Sequence, residues 1–107
     1  MNNDFGLSVE TIAKIRSVFA AHPEIEQARI YGSRAKGNYR TGSDIDVCLS
    51  GNSELIHANF HTLLNELDDA MLPYTMDISI YDYIENPALT EHIDRVGQLF
   101  YSKSGIE

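Results

Sequence analysis

Gly32-Ser-Arg-Ala-Lys-Gly-Asn-Tyr-Arg-Thr-Gly-Ser-Asp44-Ile-Asp46-Val47 is the stretch on which the reading of this chain turns. Ala28 to Tyr31 before it is a short apolar run that reads as a buried strand, and Gly32-Ser33 breaks that strand. The loop from Arg34 to Ser43 then leads into a second strand, Asp44 to Leu49, closed by Ser50-Gly51-Asn52. Side chains alternate across a strand, so Asp44 and Asp46 project from one face, roughly 6–7 Å apart, while Ile45 and Val47 enter the core. Two carboxylates held this close repel each other, and a cation between them relieves the repulsion. Hard oxygen ligands of this kind suit Mg²⁺, which takes one or two carboxylates together with substrate phosphate and water.

The flanking sequence supplies the rest of an α/β (α+β) arrangement. Ser8 is placed to cap a first helix in which Val9, Ile12, Ile15 and Phe19 keep helical spacing, and His22-Pro23 marks its end. From Ser53 to Ala70 the residues Ile56, Phe60, Leu63, Leu64, Leu67 and Met71 form one apolar stripe, which predicts a single long helix ended by Pro73. Met76 to Tyr81 reads as a third strand, with Ile78 and Ile80 on one face and Asp77, Ser79 and Tyr81 on the other. Asn86-Pro87 opens a last helix, with Leu89, Ile93, Val96 and Phe100 on its apolar side. The order helix, strand, strand, helix, strand, helix predicts one domain over residues 1–107: a small mixed sheet covered by helices. If the third strand lies beside the second, Asp77 joins Asp44 and Asp46. Three carboxylates can hold two metals about 3.5–4 Å apart for in-line phosphoryl displacement.

Charge sharpens this reading. The chain carries 16 acidic and 8 Lys plus Arg residues, a net charge of −8 that argues against a broad nucleic-acid-binding face. Yet Arg29, Arg34, Lys36 and Arg40 fall together, and no acid interrupts Ala28 to Ser43 before Asp44 and Asp46 follow. A basic loop abutting paired carboxylates suits a small polyanion bound with a metal. Gly32 admits a phosphate close to the main chain, the Ser33 hydroxyl and backbone N–H groups can face it, and Arg34, Lys36 and Arg40 can neutralise it. No apolar run reaches the roughly 20 residues of a membrane span. Met1-Asn2-Asn3-Asp4 lacks the start of a signal peptide, and Cys48 is the only cysteine, so a cytoplasmic setting is expected.

Gly32-Ser33, ten residues, then Asp44-x-Asp46 resembles the signature of the DNA polymerase beta-like nucleotidyltransferases, and the wider string from Gly32 to Val47 is similar to its minimal nucleotidyltransferase branch. Asp77, in Met-Asp-Ile-Ser-Ile-Tyr, matches the third carboxylate, and the resemblance runs from about Thr11 to Tyr101. It implies the polymerase beta-like fold, with Asp44 and Asp46 binding Mg²⁺ and the triphosphate. It implies further that Asp77 completes a two-metal site and helps activate the attacking hydroxyl, while Gly32 and Ser33 bind phosphate. The implied reaction is transfer of a nucleoside monophosphate, AMP from ATP, with release of pyrophosphate.

Many bacterial members of this family work beside a small helical partner. Some partners are HEPN-domain toxins that the nucleotidyltransferase, as antitoxin, can adenylylate. Others are described as substrate-binding subunits, which would present a small molecule for transfer. A third possibility keeps the chain as an antitoxin or assembly subunit acting by contact, its nucleotide site serving as a sensor. Among the remaining residues, His57 and His61 are read as solvent-facing, Cys48 as a packing residue, and Asp82 as lying at the exit of the third strand. Tyr31 and Tyr39 flank the loop and can either stack on a base or pack at its rim.

Overall fold

The computed structural model describes residues 5–40 and 42–105. Met1 to Asp4, on which the expectation about a signal peptide rests, and Thr41 of the loop lie outside the described residues. The sheet has four strands, β1 (Ile25–Tyr31), β2 (Ile45–Gly51), β3 (Met76–Ile80) and β4 (Gln98–Ser102), in the order β3-β2-β1-β4. β1 runs antiparallel to both β2 and β4, and β2 runs parallel to β3, so the sheet is mixed as expected.

Helices cover both faces. On one face, α1 (Val9–Ala20), α3 (Ser53–Ala58) and α4 (Phe60–Asp69) pack on Ala28, Ile30, Ile45, Val47, Leu49 and Ile80. Ile15 and Phe19 of α1 are completely buried there, each worth about 2–3 kcal/mol of apolar transfer. On the other face, α5 (Pro87–Val96) sets Ile93 against Tyr31 and Cys48, and this smaller cluster leaves the ends of β2 and β3 open. A four-residue helix, α2 (Ser33–Lys36), follows β1, and a 3₁₀ turn, Tyr81–Tyr83, follows β3.

Four sequence expectations are revised. The helix from Ser53 to Ala70 is two helices broken at Asn59, whose φ of −104° and ψ of 12° leave the helical basin. The Asn59 side-chain amide donates to the Leu55 carbonyl at 2.9 Å, beside the Asn59 backbone N–H bond to the same oxygen at 3.0 Å, so side chain and backbone both close the end of α3. Val9 is 83% exposed, because it lies two residues, hence about 200° of helix rotation, from the buried Thr11. Met71 is 84% exposed: α4 ends at Asp69, and Met71 adopts a left-handed φ of 55° that swings it outward.

The fourth revision concerns Phe100, expected on the last helix and found in β4 with its ring against Phe5 and Phe19. Gly97 stops α5: its N–H bonds the Ile93 carbonyl at 2.7 Å, and a Cβ there would stand 2.4 Å from that same oxygen. The chain therefore turns at Gly97 and returns as an edge strand beside β1.

Two polar anchors tie the layers together. His22, at the end of α1, holds one ring nitrogen 3.1 Å from Glu24 and the other 2.6 Å from Glu66 of α4. Burial alone would lower its pKa; the two carboxylates outweigh that and raise it above 6.5, so the ring favours the imidazolium that donates on both sides. The second anchor is Arg34, only 3% exposed. Its guanidinium donates to the Phe5 carbonyl at 2.8 Å and to the Ser43 carbonyl at 2.9 and 3.2 Å, and it lies about 5 Å from the ring centres of both Tyr39 and Tyr74.

Because the folded state holds the proton on His22 more tightly than the unfolded chain does, the stabilisation is complete below the ordinary histidine value of 6.5 and is lost as pH rises through the raised pKa. Chemical denaturation from pH 5.5 to 8.5 should show this fall, and His22→Gln should flatten it. Arg34→Met should lower the unfolding free energy by roughly 2–3 kcal/mol, since two carbonyls lose a charged donor. Arg34→Lys should recover only part of the loss, because one ammonium cannot bridge both carbonyls in the plane of the rings.

Candidate active site

The site is built where β1 ends against the starts of β2 and β3. The register sets Tyr31 beside Asp46, and Asp46 beside Asp77, so one transverse row across three strands presents these side chains on the face opposite the main core. Asp44 comes just before β2, exposed, with its carboxylate accepting from Thr75 Oγ1. The Ile45 N–H bonds the Thr75 carbonyl at 2.9 Å, which fixes the entry of β2 against the entry of β3. Asp44, Asp46 and Asp77 thus lie at adjoining strand ends, and the condition placed on Asp77, that the third strand lie beside the second, is met.

Electrostatics records the crowding. The Asp46 carboxyl is pushed above its usual range, first by burial, then by the charges of Asp77 and Asp44, with His92 pulling it weakly the other way. Tyr31 is pushed up as well, chiefly by burial and further by Asp77 and Asp46, against a hydrogen bond with Ser79. Among the described residues no three acidic, histidine or cysteine side chains already form a closed metal cluster. The donor set nonetheless fits a hard divalent cation: Asp77 and Asp44 lie near enough to Asp46 for their charges to raise its pKa, no cationic side chain is ion-paired to any of the three among the described residues, and their mutual repulsion is what such a cation would remove.

Gly32 is required by geometry. It adopts φ 75° and ψ −150°, and a Cβ built on it would meet Asp46 Oδ2 at 2.4 Å. The main chain therefore passes directly against the carboxylate, and Ser33 opens α2 next to it. α2 is closed by Gly37 in the left-handed conformation, with its N–H on the Ser33 carbonyl at 2.9 Å.

The basic residues separate. Lys36 and Arg40 are exposed at the rim, and the Arg40–Ser43 turn is held by Arg40 N–H to Ser43 Oγ at 2.8 Å and Ser43 N–H to the Arg40 carbonyl at 2.9 Å. Arg34, expected on phosphate, is instead buried with its donors spent on Phe5 and Ser43, so its charge braces the loop that carries Asp44. Tyr39 belongs to that brace, and Tyr31 to the small core under α5. Cys48 is buried with its thiol pushed up to about 12, which makes it a packing group. Asp82 follows β3 in the 3₁₀ turn and accepts from Ser53 Oγ at 2.6 Å.

Two neighbours of the carboxylates escaped the sequence reading. Thr75 had no periodic pattern to mark it, and its contact depends on the parallel pairing of β2 with β3. His92 sits next to the buried Ile93 on α5 with its ring 6.1 Å from that of Tyr31, and only the packing of α5 on the sheet brings it toward Asp46.

Two solved structures share this fold. A toxin–antitoxin with AMP-PNP superposes with a TM-score of 0.69 at 18% identity, covering 85% of this chain and 73% of that one. An MntA–HpeT toxin–antitoxin carrying two aspartate-to-glutamate substitutions gives a TM-score of 0.66 at 15% identity, covering 85% and 72%. At such identities the likeness is one of fold. No curated protein matches the sequence. The Polymerase beta, Nucleotidyltransferase family matches residues 13–105, which span the Gly32-Ser33 turn and all three aspartates, and the chain belongs to that family.

Proposed function

We propose that this chain is a Mg²⁺-dependent nucleotidyltransferase that moves AMP from ATP to a hydroxyl of a helical partner protein of HEPN type, acting as the antitoxin of a toxin–antitoxin pair. The observation that carries the chemistry is the meeting of Asp44, Asp46 and Asp77 at one sheet end, against a glycine turn whose missing Cβ leaves room beside Asp46. The partner is argued from the folds of the two neighbours, both solved as toxin–antitoxin systems, and from the acidic surface of this chain.

Asp44 and Asp46 are assigned to hold the cation and, through it, the triphosphate; Asp77 completes the site. When bound, the divalent cation would neutralise the triphosphate oxygens and stabilise charge on the leaving pyrophosphate. Gly32 and Ser33 would receive phosphate along the main chain, with Lys36 and Arg40 at the rim neutralising its outer charge. The acceptor hydroxyl gives its proton to Asp77 as its oxygen bonds the α-phosphorus. The α–β phosphoanhydride bond breaks in line, and pyrophosphate departs.

A second reading, contact-only neutralisation with the nucleotide site as a sensor, is favoured by the net charge of −8. A third, transfer to a small molecule held by a substrate-binding subunit, uses the same carboxylates. The experiments separate them. With Mg²⁺, labelled ATP and the co-expressed partner, label should pass to the partner, and Asp44→Asn/Asp46→Asn should reduce transfer by at least about 10³-fold. Unlabelled partner with intact protection of cells by that double variant would establish the contact-only reading instead.

Gly32→Ala should cut transfer by a similar order, because its Cβ displaces Asp46, while far-ultraviolet circular dichroism stays that of the parent. The pH sign at Asp46 gives a metal test. Its folded pKa is raised, so its contribution to stability is greatest below about 3.8 and is lost as pH rises through the folded value. At pH 7.5 the ionised site is therefore repulsive. Asp46→Asn should melt higher than the parent without metal and lose the Mg²⁺-induced rise in Tm that the parent shows.

A further inference from the structure

From Thr41 to Asp94 the sequence contains eleven acidic residues and no Lys or Arg. All eight Lys and Arg residues lie before or after that span. The topology turns this segregation in sequence into segregation in space. The span contributes β2, α3, α4, β3 and most of α5, so the β3 side of the sheet is acidic, while Lys and Arg lie in α1, β1, α2 and the loop after it, at the end of α5 and just after β4.

β3 is the outermost strand on that acidic side, and among the described residues no strand pairs with its outer edge. Three common guards of an open edge are missing from Met76-Asp-Ile-Ser-Ile80, which has no Lys, no Pro and no bulge; its protections are its short length and the charge of Asp77. The opposite edge differs, since β4 is followed at once by Lys103, whose side chain bonds the Pro23 carbonyl.

An apolar groove runs along the β3 edge. One part, about 280 Å³, lies between β3 and the end of α4, with Leu64, Leu72 and Met76 in its walls. The other, about 650 Å³, lies between β3 and the 3₁₀ turn, walled by Phe60, Tyr83 and Leu89. Ile78 lines both, so the two adjoin at the middle of β3. Tyr83 and Leu64 are 47% and 40% exposed. Among the lining residues the carboxylates are Asp68 at one end and Glu85 at the other, and His57, stacked on Tyr83, is the sole group able to become cationic.

We propose that this edge and its groove take an extended, basic segment of the acceptor protein, added to β3 as a further strand. Backbone bonding to the open edge would supply affinity, and alternate apolar side chains would enter the groove. Lys or Arg side chains at the two ends of the segment, on the same face as the apolar ones, would meet Asp68 and Glu85, while the intervening positions face the carboxylate side of the sheet. Nucleic acid and anionic lipid are repelled by the same surface. A strand added here runs about 5 Å from β3 and hence alongside Asp77, so a hydroxyl-bearing side chain on it is carried to the edge of the carboxylate site. The proposal rests on the reading that the acceptor is another protein, and its test is independent of turnover.

The probes are three synthetic nine-residue peptides: an alternating apolar and Ser core with Lys at both ends on the apolar face, the same core with Glu at those ends, and the Lys peptide interrupted by Pro. Hydrogen exchange of the full chain is followed without nucleotide. The Lys peptide should protect amides within 76–80 and bind about tenfold more weakly to Asp68→Lys/Glu85→Lys. The Glu and Pro peptides should protect nothing there. Equal binding by the Glu peptide, protection confined to other strands, an unchanged affinity for the charge-reversed variant, or protection of 76–80 by a single-stranded oligonucleotide would each overturn the proposal. Asp46→Asn should bind the Lys peptide as the parent does. Peptide binding with no nucleotidyl transfer would then remove the catalytic reading and leave the docking edge standing.

Discussion

The parallel pairing of β2 with β3 is the constraint from which the rest of this molecule follows. It sets Asp46 beside Asp77 in one row, and it places Thr75 where it can hold Asp44 at the mouth of the same strands. A parallel pair cannot be joined by a hairpin, so the chain must cross over, and α3 with α4 is that crossover. The crossover in turn provides Ile56, Leu63 and Leu67 to cover the core face. Packing on one side thereby leaves the polar row on the other side free to gather charge.

Gathering charge has a structural cost, and the raised pKa of Asp46 records that the fold leaves it uncompensated. No described Lys or Arg is ion-paired to the three aspartates. Arg34, which is close in sequence, is diverted into a buried clamp between the Phe5 and Ser43 carbonyls, stacked by two tyrosines. A guanidinium suits this because it stays charged when buried, spans two acceptors and presents flat faces to rings. The clamp holds Ser43, next to Asp44, without neutralising the carboxylates, so the site keeps its negative charge.

The residues that could be read from sequence were those whose roles are local. Asp46 points away from Ile45 and Val47 by strand alternation, Asp44 lies just before the strand on which it was expected, and Gly32 and Ser33 follow a strand directly. Asp77 opposes Ile78 and Ile80, and the parity argument for it needed only that β3 neighbour β2. Roles that depend on distant contacts were illegible. Arg34 looked like a loop cation because nothing in the sequence shows that Phe5 and Ser43 will offer it carbonyls. Phe100 fell into helical register with Val96 because a spacing of four fits a helix; the contrary signal was Gly97-Gln98 followed by Leu-Phe-Tyr, a break and then a short run with two aromatics. Asn59 hid inside an unbroken apolar stripe, since periodicity survives a local change of φ and ψ when both halves pack on the same core.

The edge strand and the site are linked by more than proximity. A sheet that ends at β3 leaves Asp77 on its outermost strand, so the carboxylate row is closed on the β1 side by Tyr31 under α5 and open on the β3 side. On the proposed reading, a nucleotide entering over Gly32 and Ser33 would come from the side where Lys36 and Arg40 lie, and an acceptor reaching Asp77 from the open edge would come from the acidic side. Two reactants of opposite charge would thus approach from opposite ends of one row, each drawn by the half that complements it and repelled by the other. In so small a domain that division of charge can do what a second, substrate-binding lobe does in a larger enzyme: it sets which reactant occupies which side of the carboxylates.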